Sequence, residues 1–202
     1  MAMKFNKKTI IDIAIIVLIA AVAIFFILSV FKDSENKTTI KKSQVSQDKN
    51  LQSAIQQEIQ KVAPEVSNVT KEGVVVTLEG KPVKNEATPG SDDAPKQSAP
   101  IKNLEQLPSQ AIKLTMAKKG FNPLSFEVKA KQVVSLAITS GDSGLHVIKF
   151  KDPSLSAINM GVSSGQTRVI VFNAPEKAGV YEFVCDVPDH ENQGEKGKMI
   201  VK

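Results

Sequence analysis

A chain of 202 residues with one Cys and two His offers few places for metal or redox chemistry, and all three of those residues fall in its C-terminal half. Cys185 and His190 form a C-x4-H pair between two apolar runs, Tyr181-Glu-Phe-Val-Cys185 and Met199–Val201. His146 opens another run, Val147–Phe150, 39 residues upstream of the thiol. One thiolate and two imidazoles make up the trigonal set that holds copper in electron-transfer sites: thiolate and imidazole suit Cu(I), and imidazole also suits Cu(II). The bland reading, a structural Cys in a β core with two solvent histidines, fits any one of these residues better than it fits the three together.

Such donors need a rigid frame. Apolar alternation recurs at short spacing through 111–202: Ile112, Leu114 and Met116; Phe126 and Val128; Val133–Ile138; Val147–Phe150; Val169–Phe172; Val180–Val184; Met199–Val201. Turn signals separate them at Gly120-Phe-Asn-Pro123, Ser140-Gly-Asp-Ser-Gly144, Asp152-Pro153, Ser163-Ser-Gly165, Pro175 and Gly179. About seven short strands with regular turns and no helical period predict an all-β Greek-key sandwich or barrel over 111–202, with all three donors at strand ends.

This segment resembles the cupredoxins, the small blue copper proteins. The matching features are Gly-Phe-Asn-Pro123, Asp142-Ser-Gly-Leu-His146, Phe172-Asn-Ala-Pro175, Ala178-Gly-Val-Tyr-Glu-Phe-Val-Cys185 and the loop from Cys185 through His190 to Lys196-Gly197. Carried over by position, the resemblance implies one copper ion with His146, Cys185 and His190 as equatorial ligands. Two positions depart from the pattern. Most members carry Met four or five residues after the second His, and some carry Gln; here the fifth residue is Glu195. Glu195 is therefore the expected fourth ligand, and an anionic oxygen there should favour Cu(II) and lower the reduction potential. The alternatives are a Glu195 that faces water, with a three-coordinate ion or a backbone carbonyl in the fourth place. Met199 follows the Gly197 landmark and alternates with Val201, so it reads as a core methionine. Val147 stands where many members have Asn after the first His, which removes a side-chain contribution to the ligand's surroundings.

The resemblance implies an electron carrier rather than an enzyme, with a redox protein such as a c-type cytochrome or an oxidase component as partner. Asp186, Asp189, Glu191 and Glu195 either form a solvated face or steer a basic partner. Leu145, Met160, Val162, Val187 and Pro188 are either an apolar docking patch or core. Two rival functions stand beside the carrier: a copper-handling protein that delivers or buffers the ion, and a metal-free tethered adaptor.

The rest of the chain reads as tether. Ile13 to Leu28 is an unbroken run of 16 apolar residues, and only Ser29 interrupts it before Phe31. Nineteen residues at 1.5 Å each span roughly 28 Å, close to a hydrocarbon core of about 30 Å. We therefore expect a cytoplasmic tail over 1–9, a transmembrane helix over 10–31 and an extracytoplasmic C-terminal domain at the cell membrane. The rival, a cleaved signal peptide, lacks its small-residue cleavage pattern here. Residues 32–110 are Lys-, Gln-, Ser- and Asn-rich and predict a stalk of about 75 residues reaching roughly 45–50 Å as a loose coil. Within it, Leu51, Ile55, Ile59 and Val62 predict a short helix over 47–62, either self-associating, solvated or packed on a neighbour. Val74–Leu78, Gly80 and Pro82-Val83 predict a hairpin over 74–84. Residues 85–108, with four prolines and few large apolar side chains, predict a flexible linker.

Composition excludes other classes. A lone Cys makes no intrachain disulfide and no paired-cysteine zinc or two-copper site. Net charge is +5 and dispersed, and Arg168 is the only Arg, so nucleic acid is not an expected partner.

Overall fold

The structure, a computed structural model, describes residues 51, 54–101 and 104–202. The expected tail, the expected transmembrane helix and the first part of the expected stalk lie outside the described residues. Among the described residues, no helix is long and apolar enough to cross a membrane.

The strands are β1 (Asn68–Val69), β2 (Val75–Val76), β3 (Ile112–Ala117), β4 (Gly120–Asn122), β5 (Ser125–Val128), β6 (Val133–Ser140), β7 (His146–Phe150), β8 (Asn159–Val162), β9 (Thr167–Asn173), β10 (Gly179–Cys185) and β11 (Lys196–Val201). They form a five-stranded sheet in the order β5-β11-β10-β7-β8, a four-stranded sheet in the order β4-β3-β6-β9, and a small β1-β2 pair. The two large sheets make a sandwich; the sequence left a barrel open, and no closed barrel forms. Neighbours are antiparallel except β3 with β6 and β5 with β11. Three strands were not anticipated, β1 before the predicted hairpin among them. β4 occupies the predicted turn Gly120–Pro123, and β8 is interrupted by Gly161, which weakens its alternation.

The inner faces of the sheets bury one cluster that includes Leu114, Met116, Phe126, Leu136, Ile138, Ile148, Phe150, Phe172, Phe183 and Met199. Phe183 is its hub, with ring centroids 4.9 Å from Phe121, 5.8 Å from Phe126 and 5.5 Å from Phe150. Gly197 lies opposite Phe183 in the β10–β11 register. A Cβ at Gly197 would sit 2.4 Å from the Phe183 ring and 2.7 Å from the Leu124 carbonyl oxygen, so the ring occupies the space a side chain would need.

The stalk reading needs correction over its described part. β6 and β9 are apolar on both faces. Their outer residues Val133, Ala137, Val169 and Val171 form a second buried cluster with Ile55, Ile59, Ala63, Val66, Val75, Leu107 and Ala111. Exposed, that outer face would be unfavourable by about 25 cal/mol per Å² of apolar area, and the upstream chain covers it. A helix α1 (54–62) lies in the predicted range, with Ile59 fully buried and Ile55 nearly so, while Leu51 stays half exposed. Of the readings for this helix, packing on a neighbour describes it. The predicted hairpin forms too: the Thr77 N–H donates to Lys81 O (2.7 Å), the Val83 N–H to Val75 O (3.1 Å), and Val76 bridges Pro82.

Residues 85–101 are not a loose linker either. Gln97 and Ile101 bridge Ile170 and Thr167 along the β9 edge, and the Ser98 N–H donates to Val169 O at 2.8 Å. Asn173 accepts from the Val75 N–H at 2.8 Å and donates to Gly73 O at 2.8 Å. The folded unit thus begins well before residue 111.

Candidate metal centre

The β7–β10 pairing sets Cys185 opposite Ile148, which brings the end of β10 beside the start of β7, where His146 stands. The loop after Cys185 then returns on itself. The His190 N–H donates to Val187 O (3.2 Å), the Glu195 N–H to His190 O (3.1 Å) and the Cys185 N–H to Glu195 O (3.0 Å). The last bond ties the two ends of the loop together, so Cys185, His190 and Glu195 are fixed by one closed backbone segment. It is joined to β7 through the Asp186 N–H and Val147 O at 2.8 Å.

His146, Cys185, His190 and Glu195 each offer a donor atom here, and those atoms lie within 4.8 Å of one another. His190 Nδ1 is 3.5 Å from the Cys185 Sγ, and His146 Nδ1 is 4.0 Å from it. Glu195 Oε2 lies 2.7 Å from His146 Nδ1 and 3.1 Å from His190 Nδ1. Glu195 and His146 are fully buried, while the His190 side chain keeps 20% of its exposure. The water-facing alternative for Glu195 is therefore not what the structure contains. Its Oε1 is buried and lies 3.0 Å from the same His190 nitrogen without forming a hydrogen bond to it. A buried carboxylate oxygen without a donor is costly unless something else satisfies it. A cation among the four donors would do so, and one soft sulfur, two imidazole nitrogens and one carboxylate oxygen fit a single copper ion.

Backbone supplies what Val147 lacks as a side chain: its N–H donates to Cys185 Sγ at 3.4 Å. Burial pushes the Cys185 thiol up, opposed by the backbone N–H groups of Val147 and Val187. At His146, burial disfavours the charged ring, but hydrogen bonds donated by the ring to Asp142 and Glu195 outweigh it and raise the ring's pKa. Asp142, which no sequence reading singled out beyond its place before His146, lies 2.9 Å from His146 Nε2. That bond, with the Gly144 and Lys118 N–H groups, holds its carboxyl well below the usual carboxylate range.

The family described as "Cupredoxin-like domain" matches residues 96–201, more than half of the chain. The chain belongs to the cupredoxin-like family. A comparison with curated proteins returned no match. Solved structures similar to this one include a dithionite-reduced auracyanin from Roseiflexus castenholzii (19% identity, 46% of this chain and 98% of that chain, TM-score 0.41). Auracyanin A from Chloroflexus aurantiacus, described as a "blue" copper protein, is 20% identical and covers 46% of this chain and 98% of its own (TM-score 0.37). An amicyanin variant in the Cu(I) state is 18% identical over 52% of this chain and 92% of that chain (TM-score 0.38).

The cupredoxin-like sandwich sorts the remaining residues. Met199 is fully buried in the core, in register with Tyr181 on β10 and Phe126 on β5. Met160 and Val162 are core residues as well, which removes them from the docking patch. Leu145 remains 54% exposed beside His146, and Val187 is partly buried. The acidic face is also reduced. Asp186 pairs with Lys149 at 3.0 Å, Glu191 pairs with Lys151, and Glu195 is internal. Among the described residues, Asp189 alone of the four is neither buried nor paired with a lysine.

Proposed function

We propose that this protein is a membrane-anchored, extracytoplasmic one-electron carrier holding a single copper ion through His146, Cys185, His190 and Glu195. The observation that carries the copper reading is the buried Glu195 carboxylate, one oxygen bridging the two histidines and the other 3.0 Å from His190 without a hydrogen bond, inside a His-Cys-His set. The bound ion supplies the Cu(II)/Cu(I) couple. The chain's own part is to hold the donors in one arrangement. Three of them are fixed by the closed loop 185–195 and the fourth by β7, so little has to move between oxidation states. His190 and Leu145, both partly exposed, mark the face where a redox protein would dock. A c-type cytochrome or an oxidase component is the class of partner we favour. The apolar run Ile13–Leu28 supports the anchor; lysines stand on both sides of it, and the short preceding tail together with the copper chemistry of the C-terminal domain favours an N-in orientation.

A fragment covering 49–202, mixed with Cu(II), should show an intense thiolate-to-copper charge-transfer band that disappears in Cys185→Ser. A colourless wild-type product would sink the reading. Fast, reversible voltammetry supports a carrier, whereas an irreversible response would favour the copper-handling alternative. The full chain should pellet with membranes and be released on deletion of 1–31; a full chain that stays in the supernatant would exclude the anchor.

A further inference from the structure

We propose that Asp142 is a positioning residue of the metal centre: its carboxylate takes the Nε2–H of His146, turns Nδ1 toward Cys185, His190 and Glu195, and makes the centre favour the divalent ion. The inference rests on the copper reading above for its redox consequence, but not for its structural part.

His146 is fully buried, so no water can take its outer nitrogen. That nitrogen has one partner, Asp142 Oδ1, at 2.9 Å. An ionised carboxylate only accepts, so the Nε2 facing it must carry the proton. Nδ1 faces the other three donors; it meets the Glu195 carboxylate at 2.7 Å and is the nitrogen that a bound ion would take in place of that hydrogen bond. A histidine that ligates through one nitrogen and donates the other to a carboxylate is both fixed in orientation and made a stronger base. The added electron density stabilises the higher charge of Cu(II) more than that of Cu(I). Asp142 and Glu195 thereby act in the same direction from opposite sides of one ring, Glu195 at Nδ1 (2.7 Å) and Asp142 at Nε2.

The loop between β6 and β7 is shaped around this contact. Asp142 is itself held, its Oδ1 accepting from the Gly144 N–H (2.7 Å) and its Oδ2 from the Lys118 N–H (2.9 Å). The Ser140 hydroxyl reaches the carbonyl oxygens of Asp142 (3.1 Å) and Gly144 (3.0 Å). At Gly144 a Cβ would stand 2.9 Å from Asp142 Oδ1 and 3.2 Å from His146 Nε2. The backbone therefore closes onto the acid–imidazole pair as tightly as a residue without a side chain permits. The Asp142 side chain keeps 23% exposure, so its charge is partly hydrated rather than stranded.

The test compares Asp142→Asn, which keeps the size and an acceptor but removes the charge, with Ser140→Ala, which loosens the same loop and leaves the carboxylate. Long-range 1H–15N spectra of the metal-free protein should place a slowly exchanging proton on His146 Nε2. In Asp142→Asn that proton should exchange faster and resonate upfield. Cu(II) affinity should fall by roughly tenfold relative to Cu(I), a rise in potential of about 59 mV for one electron. Ser140→Ala should leave the potential in place. An Nε2 without a proton in the wild type would overturn the proposal even if the variants fail to fold. So would an unchanged potential in Asp142→Asn, or an equal shift in Ser140→Ala. If the wild type takes up no copper, the proposed function fails, while the ring-nitrogen spectrum still decides the role of Asp142.

Discussion

Replacing Ile59 by Ala tests whether the segment upstream of the cupredoxin-like sandwich is part of the fold. Ile59 is fully buried in the cluster that joins Val66, Val75 and Leu107 to Val133, Ala137, Val169 and Val171 of β6 and β9. The change removes about three carbon atoms, roughly 2.4 kcal/mol at ~0.8 kcal/mol per buried methylene. The residual cavity adds to this, and buried Ile→Ala substitutions span about 2–5 kcal/mol. With a urea slope of about 1–3 kcal/mol/M, the midpoint of the 49–202 fragment should drop by roughly 1–2 M. Unfolding followed by circular dichroism and by the charge-transfer band should shift together, since one transition carries both clusters. A fragment starting at residue 105 should aggregate, because it leaves the outer faces of β6 and β9 bare. A loss below about 0.5 kcal/mol, the range of surface substitutions, would mean that α1 behaves as a solvated stalk and that the second cluster contributes nothing.

Three further outcomes are expected. Glu195→Gln removes a unit charge from donors that lie within 4.8 Å of one another. At an effective dielectric near 20 that charge is worth on the order of 3–4 kcal/mol, so the potential should rise, by at most roughly 150 mV. A potential that moves with Met199→Leu and not with Glu195→Gln would reverse the assignment. Gly197→Ala forces a Cβ to within 2.4 Å of the Phe183 ring and should cost about 1–3 kcal/mol in urea unfolding; a neutral effect would mean the ring moves freely. Phe183→Ala, at the hub of the aromatic cluster, should cost about 3–5 kcal/mol, and retention of the wild-type melting temperature would contradict the packing described.

Much of the sandwich was legible because its strands alternate, and the site was legible because Cys185 and His190 share one loop while His146 heads a run. The cover on the second sheet was missed although a signal was present. Val133-Val-Ser-Leu-Ala-Ile138 and Val169-Ile-Val-Phe172 do not alternate. An apolar run of that length is the mark of a strand buried on both faces, which implies a cover from elsewhere in the chain. Residues 85–101 carried too few large side chains to suggest packing, and they pack by backbone pairing to β9, which composition does not register. The role of Asp142 is not legible in the sequence, because an acid four residues before a histidine in a loop has no fixed geometry until the Gly144 backbone closes on it.

The two histidines are unequal, and the inequality follows from where the chain puts them. His190 comes from the same closed loop as Cys185 and Glu195, keeps partial exposure and is held through its own backbone N–H. His146 comes from a strand, is sealed from water, and is gripped at both ring nitrogens by carboxylates. The closed loop thus controls three donors together, whereas the Asp142 carboxylate acts on the one donor that the loop does not control. Substitutions in 186–194 other than at His190 should on this account change the partner face with little effect on potential, and removal of the Asp142 carboxylate should do the reverse. That division separates recognition from redox tuning within a single small site.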